Sequence, residues 1–200
     1  MATLVTLDLG DGVPPDGTPM TLAEYMELPN SPRGELVDGV FYLVPPAGGA
    51  HGNVNSRLST RLGAYVLEHD LGDVYDSSTA FVLRVGPPAL VRSPDVSFVA
   101  RGTDDPSIPP GSVALAPDLA VETLSPSERP GEVPRKVDEY LDHGAALVWL
   151  VDPQRRTAAV HARGRGALRL TEADALDGEG VVPGFSVPLA FHFARLAREP

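Results

Sequence analysis

Six consecutive apolar residues, Ala146-Leu147-Val148-Trp149-Leu150-Val151, constrain this chain more than any other segment. The run is far short of the roughly 20 residues that cross a bilayer, and it lacks the alternation of a strand with one wet face. It suits a strand buried on both sides in the middle of a sheet. Such a sheet needs cover on each face, so the remaining elements must include flanking helices.

Those elements can be read off in order. Residues 21–28 predict a short helix, with Thr21 as N-cap and Glu24 completing a capping box, ended by Pro29, Asn30 and Pro32. Glu35-Leu36-Val37 and Val40-Phe41-Tyr42-Leu43-Val44 flank Asp38-Gly39, a strong two-residue hairpin signal. Val54, Leu58, Leu62, Tyr65 and Val66 recur at helical spacing and predict the main packing helix over 51–69. Strand-like runs follow at 73–76, 79–85, 95–99 and 119–124, with a polar, Pro-rich loop over 102–112. Pro134 suits a helix start, residues 136–143 continue it, and Gly144 stops it. After the apolar run, Asp152-Pro153-Gln154 turns the chain and 157–162 returns as a strand. The remainder, including Pro183-Gly184-Phe185 and a final 191–196 segment, is expected to pack at the edge. The order predicts a mixed α/β (α+β) fold: residues 1–19 form a flexible leader, and 20–200 one domain with a mixed sheet flanked by helices.

Composition narrows the function. The chain has no cysteine, so disulfides and thiolate metal sites are excluded. With no membrane-length apolar run and no signal-peptide pattern near the start, a soluble cytoplasmic protein is expected. The net charge of −11 argues against gripping nucleic acid with a general basic surface. It leaves room for a site whose carboxylates hold divalent cations that offset a substrate's charge. Of 16 basic residues, 15 are arginine, and Lys136 is the only lysine. Lysine is a compact charge whose pKa burial can tune, which arginine is not. Lys136 is therefore either a catalytic cation or a chance survivor on a solvated helix face.

Three acidic residues stand out. In Asp118-Leu119-Ala120-Val121-Glu122-Thr123-Leu124, alternation puts Asp118, Ala120 and Glu122 on one face. Glu122 is a carboxylate inside an apolar strand, so it is either a partnered, metal-binding group or an edge residue facing water. Asp118 lies about 13 Å along the strand from Glu122, too far to share an ion, whereas a neighbouring strand is about 4.8 Å away. Asp95, which opens a strand after Pro94, is the better partner, although a strand-start aspartate can also simply cap a loop. Glu35 sits beside the tight turn and reads alone as a solvent-facing strand residue. His51 begins the long helix and could touch a phosphate or a metal-bound water. Arg57 and Arg61, four apart, share a helix face that could meet a phosphate backbone or solvent.

These segments, in this order, resemble the Uma family of restriction-endonuclease-like proteins within the PD-(D/E)xK nuclease superfamily. The matching stretches are Arg33-Gly34-Glu35-Leu36-Val37-Asp38-Gly39, the loop leading to His51, and Ser93-Pro94-Asp95-Val96. They continue through Ala116-Pro117-Asp118 to Ser125-Pro126-Ser127, Lys136 with Tyr140, Trp149-Leu150-Val151-Asp152-Pro153, and Pro183-Gly184-Phe185. The resemblance spans about 20–196. It implies a restriction-endonuclease-like, four-stranded mixed β-sheet core with flanking helices. It also implies Mg²⁺ or Mn²⁺ held by Asp95 and Glu122, supported by Glu35 and joined by the Thr123 backbone carbonyl. One position departs from the superfamily pattern: Leu124 stands where its lysine usually falls two residues after the second acid. The resemblance is to members whose lysine has moved to the following helix, here Lys136. The implied activity is endonucleolytic hydrolysis of DNA phosphodiester bonds leaving a 5′-phosphate, and a homodimer fits cutting of two strands. Two other classes stay open: a non-catalytic interaction domain that kept the fold, and a hydrolase of small phosphate esters.

Overall fold

Asp38 and Gly39 both take left-handed backbone angles, φ +50° and +75°. That pair is the signature of the primed turn an Asp-Gly hairpin requires. The turn folds β2 (Gly34–Val37) onto β3 (Val40–Leu43), with Glu35 opposite Tyr42. The computed structural model describes residues 14–28, 34–102, 116–125, 131–194 and 196. The end of the segment read as a leader joins this hairpin. β1 (Thr18–Pro19) pairs with β3, and Asp16 accepts a hydrogen bond from the Leu43 amide. Helix α1 (Leu22–Met26) carries the Thr21–Glu24 capping box. Pro29, Asn30, Pro32 and Arg33, and most of the 102–112 loop, lie outside the described residues.

The long helix, α2 (Gly49–Glu68), buries Val54, Leu58, Leu62 and Val66. β4 (Gly72–Asp76) and β5 (Phe81–Arg84) follow. Next come β6 (Leu90–Arg92), β7 (Val96–Ala100) and β8 (Leu119–Thr123). Helix α3 (Glu132–Asp142) leads to β9 (Leu147–Asp152) and β10 (Thr157–Ala162). The chain then forms β11 (Leu168–Thr171), β12 (Ala175–Asp177), β13 (Ser186–Pro188) and α4 (Leu189–Phe193).

Two main sheets result. The first is antiparallel, in the order β1-β3-β2-β6-β5. The second has six strands, β11-β10-β9-β8-β7-β4, rather than the four the resemblance implied. It is mixed: β8 and β9 run parallel, and its other neighbours pair antiparallel. A parallel pair needs a long crossover, and α3 supplies it. The apolar run of β9 is an inner strand as expected, and Trp149 and Val151 pack with Leu119, Val121 and the α2 leucines. On the opposite face Ala120 and Val148 meet Val137 and Tyr140 of α3.

The C-terminal stretch does more than line an edge. Leu176, Val182, Phe185, Val187, Leu189 and Phe193 enter the same core as α2. β6 went unread because three residues between Pro88 and Pro94 offer too little alternation to register. Among the described residues no helix is long and apolar enough to cross a membrane.

Candidate active site

β8 is hydrogen-bonded on both sides and buried throughout, so Glu122 is not an edge residue facing water. Its face is the one turned to α3, as the alternation required. The register sets Val96 against Val121, which brings Asp95 beside Glu122 on the neighbouring strand. Asp118 is spent elsewhere: it accepts a 2.7 Å hydrogen bond from the Ala100 amide. Residues from both main sheets and from α2 and α3 line a cleft of about 1360 Å³, which Glu35, His51, Asn55, Asp95, Glu122 and Lys136 share.

Helix α3 enters this cleft with Lys136 and Tyr140, four residues apart on one face. The Lys136 ammonium donates to Glu122 Oε2 at 3.0 Å, and the Tyr140 hydroxyl donates to Glu122 Oε1 at 2.8 Å. Lys136 Nζ also lies 3.8 Å from Glu35 Oε1. Glu35 is only 5% exposed; its Oε2 accepts from Arg92 at 2.7 Å and its Oε1 from the Ser93 amide at 3.1 Å. It is therefore not the solvent-facing strand residue its local sequence suggests.

Asp95 is held by a second set of partners. Its Oδ2 accepts from the Thr123 amide at 2.8 Å and lies 3.1 Å from His51 Nε2. Asn55, one helical turn after His51, contacts His51 Nδ1 at 3.2 Å and accepts from the Thr123 hydroxyl. His51 thus reaches the acidic cluster, through Asp95.

The charges are tuned by depth. Burial raises the Glu122 carboxyl to about 7; Lys136 opposes this, Asp95 and Glu35 add to it, and the Tyr140 hydrogen bond works against it. Burial pushes Glu35 the same way, but Lys136, Arg92 and the Ser93 amide outweigh it and leave Glu35 below the ordinary carboxylate range. Burial disfavours the Lys136 ammonium, yet Glu122 and Glu35 more than compensate, so its pKa is raised. Lys136 therefore stays charged at neutral pH. His51 is disfavoured as a cation by burial, but its bond to Asp95 raises it overall.

The donor chemistry of Asp95, Glu122, Glu35 and the Thr123 carbonyl is all oxygen, which suits a hard divalent cation. Among the described residues, however, no three acidic or histidine side chains are grouped to hold one ion. Lys136 and Tyr140 occupy the two oxygens of Glu122, and Arg92 and Ser93 those of Glu35. Arg57 and Arg61 do share a helix face, but they are not among the residues lining the cleft. Both guanidinium groups lie over the Phe191 ring of α4, at 5.4 and 4.5 Å, and Arg57 also donates to the Phe191 carbonyl.

Sequence reasoning missed Arg92 and Asn55. Arg92 is fully buried, although it is the most polar residue of β6. The signal was the one that singled out Glu122: a charge inside an apolar run, here Ala89-Leu90-Val91-Arg92. Asn55 is one turn from His51 on the polar side of α2, so the helical spacing already paired them.

The family profile described as "Putative restriction endonuclease", Uma2, matches residues 22–190. The chain belongs to the Uma2 family. Lys136, Glu122, Asp95 and Glu35 all fall within that span. Among solved structures, the Uma2 chain is similar to a "putative nuclease belonging to DUF820" from Anabaena variabilis ATCC 29413. The TM-score is 0.74 at 24% identity, over 88% of this chain and 98% of that one. This likeness establishes a shared fold. No curated protein matches the chain.

Proposed function

We propose that this Uma2 protein is a metal-dependent endonuclease that hydrolyses phosphodiester bonds, with DNA as substrate. The observation that carries the reading is the pairing of the chain's only lysine with a buried carboxylate of the central sheet, in a cleft that Asp95 and Glu35 share. Family membership supports nuclease chemistry; the net charge of −11 argues against a general basic docking face, so any nucleic acid would have to be met through cations held at the site.

The residues divide the work. Asp95, Glu122 and the Thr123 carbonyl, backed by Glu35, would hold Mg²⁺ or Mn²⁺. Bound there, such an ion would supply polarisation of the scissile phosphate and acidification of a water. Lys136, charged at neutral pH, orients the attacking water and offsets negative charge as it builds on the phosphorane. Tyr140 fixes the Glu122 carboxylate through its hydroxyl, while Thr123 and His51 fix Asp95. Water would attack phosphorus in line, the P–O3′ bond would break, and the 3′ oxygen would leave as a hydroxyl, the proton lost by the attacking water balancing the one it gains, with a 5′-phosphate remaining. In this reading the protein acts in the cytoplasm, and a homodimer would give each strand of a duplex its own cleft.

The test is cleavage of supercoiled and linear DNA with Mg²⁺ or Mn²⁺, with a chelator as control, alongside a thermal shift on adding Mn²⁺. Nicking that the chelator abolishes, together with a shift that vanishes in Glu122→Gln, supports the proposal. Neither cleavage nor shift at millimolar metal would leave a non-catalytic interaction domain. Activity on nucleotides but not polynucleotides would instead mark a small-phosphoester hydrolase.

A further inference from the structure

One side chain in the cleft wall is held on several sides by carboxylates. Arg92, on β6, is fully buried and grips three carboxylates from two elements. Its Nη1 donates to Glu35 Oε2 of β2 at 2.7 Å and to Glu132 Oε1 of α3 at 2.8 Å. Its Nε donates to Glu139 Oε2 of α3 at 2.7 Å. Arg135 holds the other oxygen of Glu139 at 2.8 Å. Only a guanidinium offers donors in a fixed fork that can meet several carboxylates at once.

Glu132, Lys136 and Glu139 follow one another at helical spacings of four and three residues, so they share one face of α3. Arg92 therefore holds side chains that leave the helix on both sides of Lys136, from Cα positions roughly 10 Å apart along its axis. A grip at two heights resists both sliding and rotation. Those are the two motions that would carry the Lys136 ammonium away from Glu122. The grip also joins the sheets: Arg92 and Glu35 belong to the first, and Glu122 to the second.

Stability is a weak explanation for such a cluster. Buried ion pairs often contribute little net stability, because desolvation cancels much of their attraction. Their better-attested contribution is geometric.

We infer that Arg92 is a positioning residue: through Glu132 and Glu139 it sets the depth and rotation of α3, and so holds the Lys136 ammonium in the cleft against Glu122. The catalytic consequence rests on the nuclease reading; the geometric claim does not.

The lone lysine supplies the probe. With ε-¹³C-lysine the folded protein gives one lysine Cε signal. A fixed side chain keeps its two Cε protons inequivalent, and a freely rotating one averages them. Arg92→Met would strand three carboxylates and risks unfolding, so the variant of choice is Glu132→Gln with Glu139→Gln. Glu132→Gln alone, at a partly exposed site, is the fallback. The expected result is two distinct proton shifts in the wild type that collapse to one in the double variant, while the remaining spectrum stays folded. With Mn²⁺ and DNA, kcat falls by about 100-fold, the scale of a 1 Å misplacement, and KM stays near its wild-type value. Retained inequivalence in the folded double variant, or an unchanged kcat, overturns the inference. A wild type that cuts no DNA defeats the nuclease reading instead, and the lysine spectrum then decides the positioning claim alone.

Discussion

Lys136 Nζ and Glu122 Oε2 meet at 3.0 Å, although one residue belongs to a crossover helix and the other to the inner strand before it. The contact spans 14 residues and needs both the β8–β9 parallel pairing and the packing of α3 over it.

Removing that ammonium tests the centre of the proposal. Lys136→Met should lower kcat by at least about 10²–10³-fold, the loss seen when one charge-stabilising donor is deleted. The fold should persist, because a Glu122 carboxyl already raised to about 7 can take up a proton when its partner is lost. Plasmid nicking and a thermal melt read the two effects separately, and cleavage at the wild-type rate would sink the catalytic assignment.

Metal affinity should depend on pH. Glu122 is raised by burial first, so below about 7 its folded-state carboxyl carries a proton. A cation must displace that proton, and apparent affinity should weaken as pH falls, approaching about tenfold per unit for one proton displaced. The same raised value means the folded protein holds the proton more tightly than the unfolded chain. The Glu122 contribution to stability is thus lost as pH rises through the folded pKa unless the metal is present. Mn²⁺ titrations on both sides of neutrality check this, and a pH-independent affinity would contradict it.

His192 should make the protein acid-sensitive. It is 1% exposed, and among the described residues neither ring nitrogen finds a hydrogen-bond partner. Burial first, then Arg57 and Arg61, lower it from 6.5 to about 4. The unfolded chain therefore takes a proton that the folded one refuses, and stability falls as pH drops through that window. At about 1.4 kcal/mol per unit the loss is at most about 3 kcal/mol. Urea unfolding at neutral and mildly acidic pH should show it in the wild type and not in His192→Leu. An equal pH response in both proteins would refute the assignment.

Gly72→Ala should be severely destabilising. Gly72 has φ +147°, and an added Cβ would lie 2.1 Å from the Val99 carbonyl oxygen, a backbone atom that cannot swing aside. Strain and overpacking together should cost more than about 2 kcal/mol. A shift in the denaturant midpoint measures it; a variant as stable as wild type would show that β4 can move away from β7.

Much of this architecture could be read from residues alone, wherever a local pattern has one physical outcome. Asp38-Gly39 could turn only one way between two β-prone runs, and the Leu147–Asp152 strand had nowhere to go but inside. Glu122 and Lys136 stood out because each breaks the composition around it. What stayed hidden depends on partners distant in sequence. Arg57 and Arg61 share a face, but which face matters, and α4 covers it from 134 residues away. Arg92 sits on a three-residue strand whose neighbours β2 and β5 are fixed by tertiary pairing, so its charge after an apolar run was visible but the glutamates it holds were not. The same holds for the grip of Lys136 and Tyr140 on Glu122, which a bound ion would have to loosen.

Because β8 is laddered to a neighbour on each side, its amides should exchange with solvent only when the whole domain opens. The carboxylate it carries is anchored where local fraying is least, whereas His51, near the start of α2, sits where helices loosen first. Heating short of the melting point should therefore disturb the His51 side of the cleft while leaving the Glu122 side intact, a gradient that hydrogen exchange along the two elements would trace.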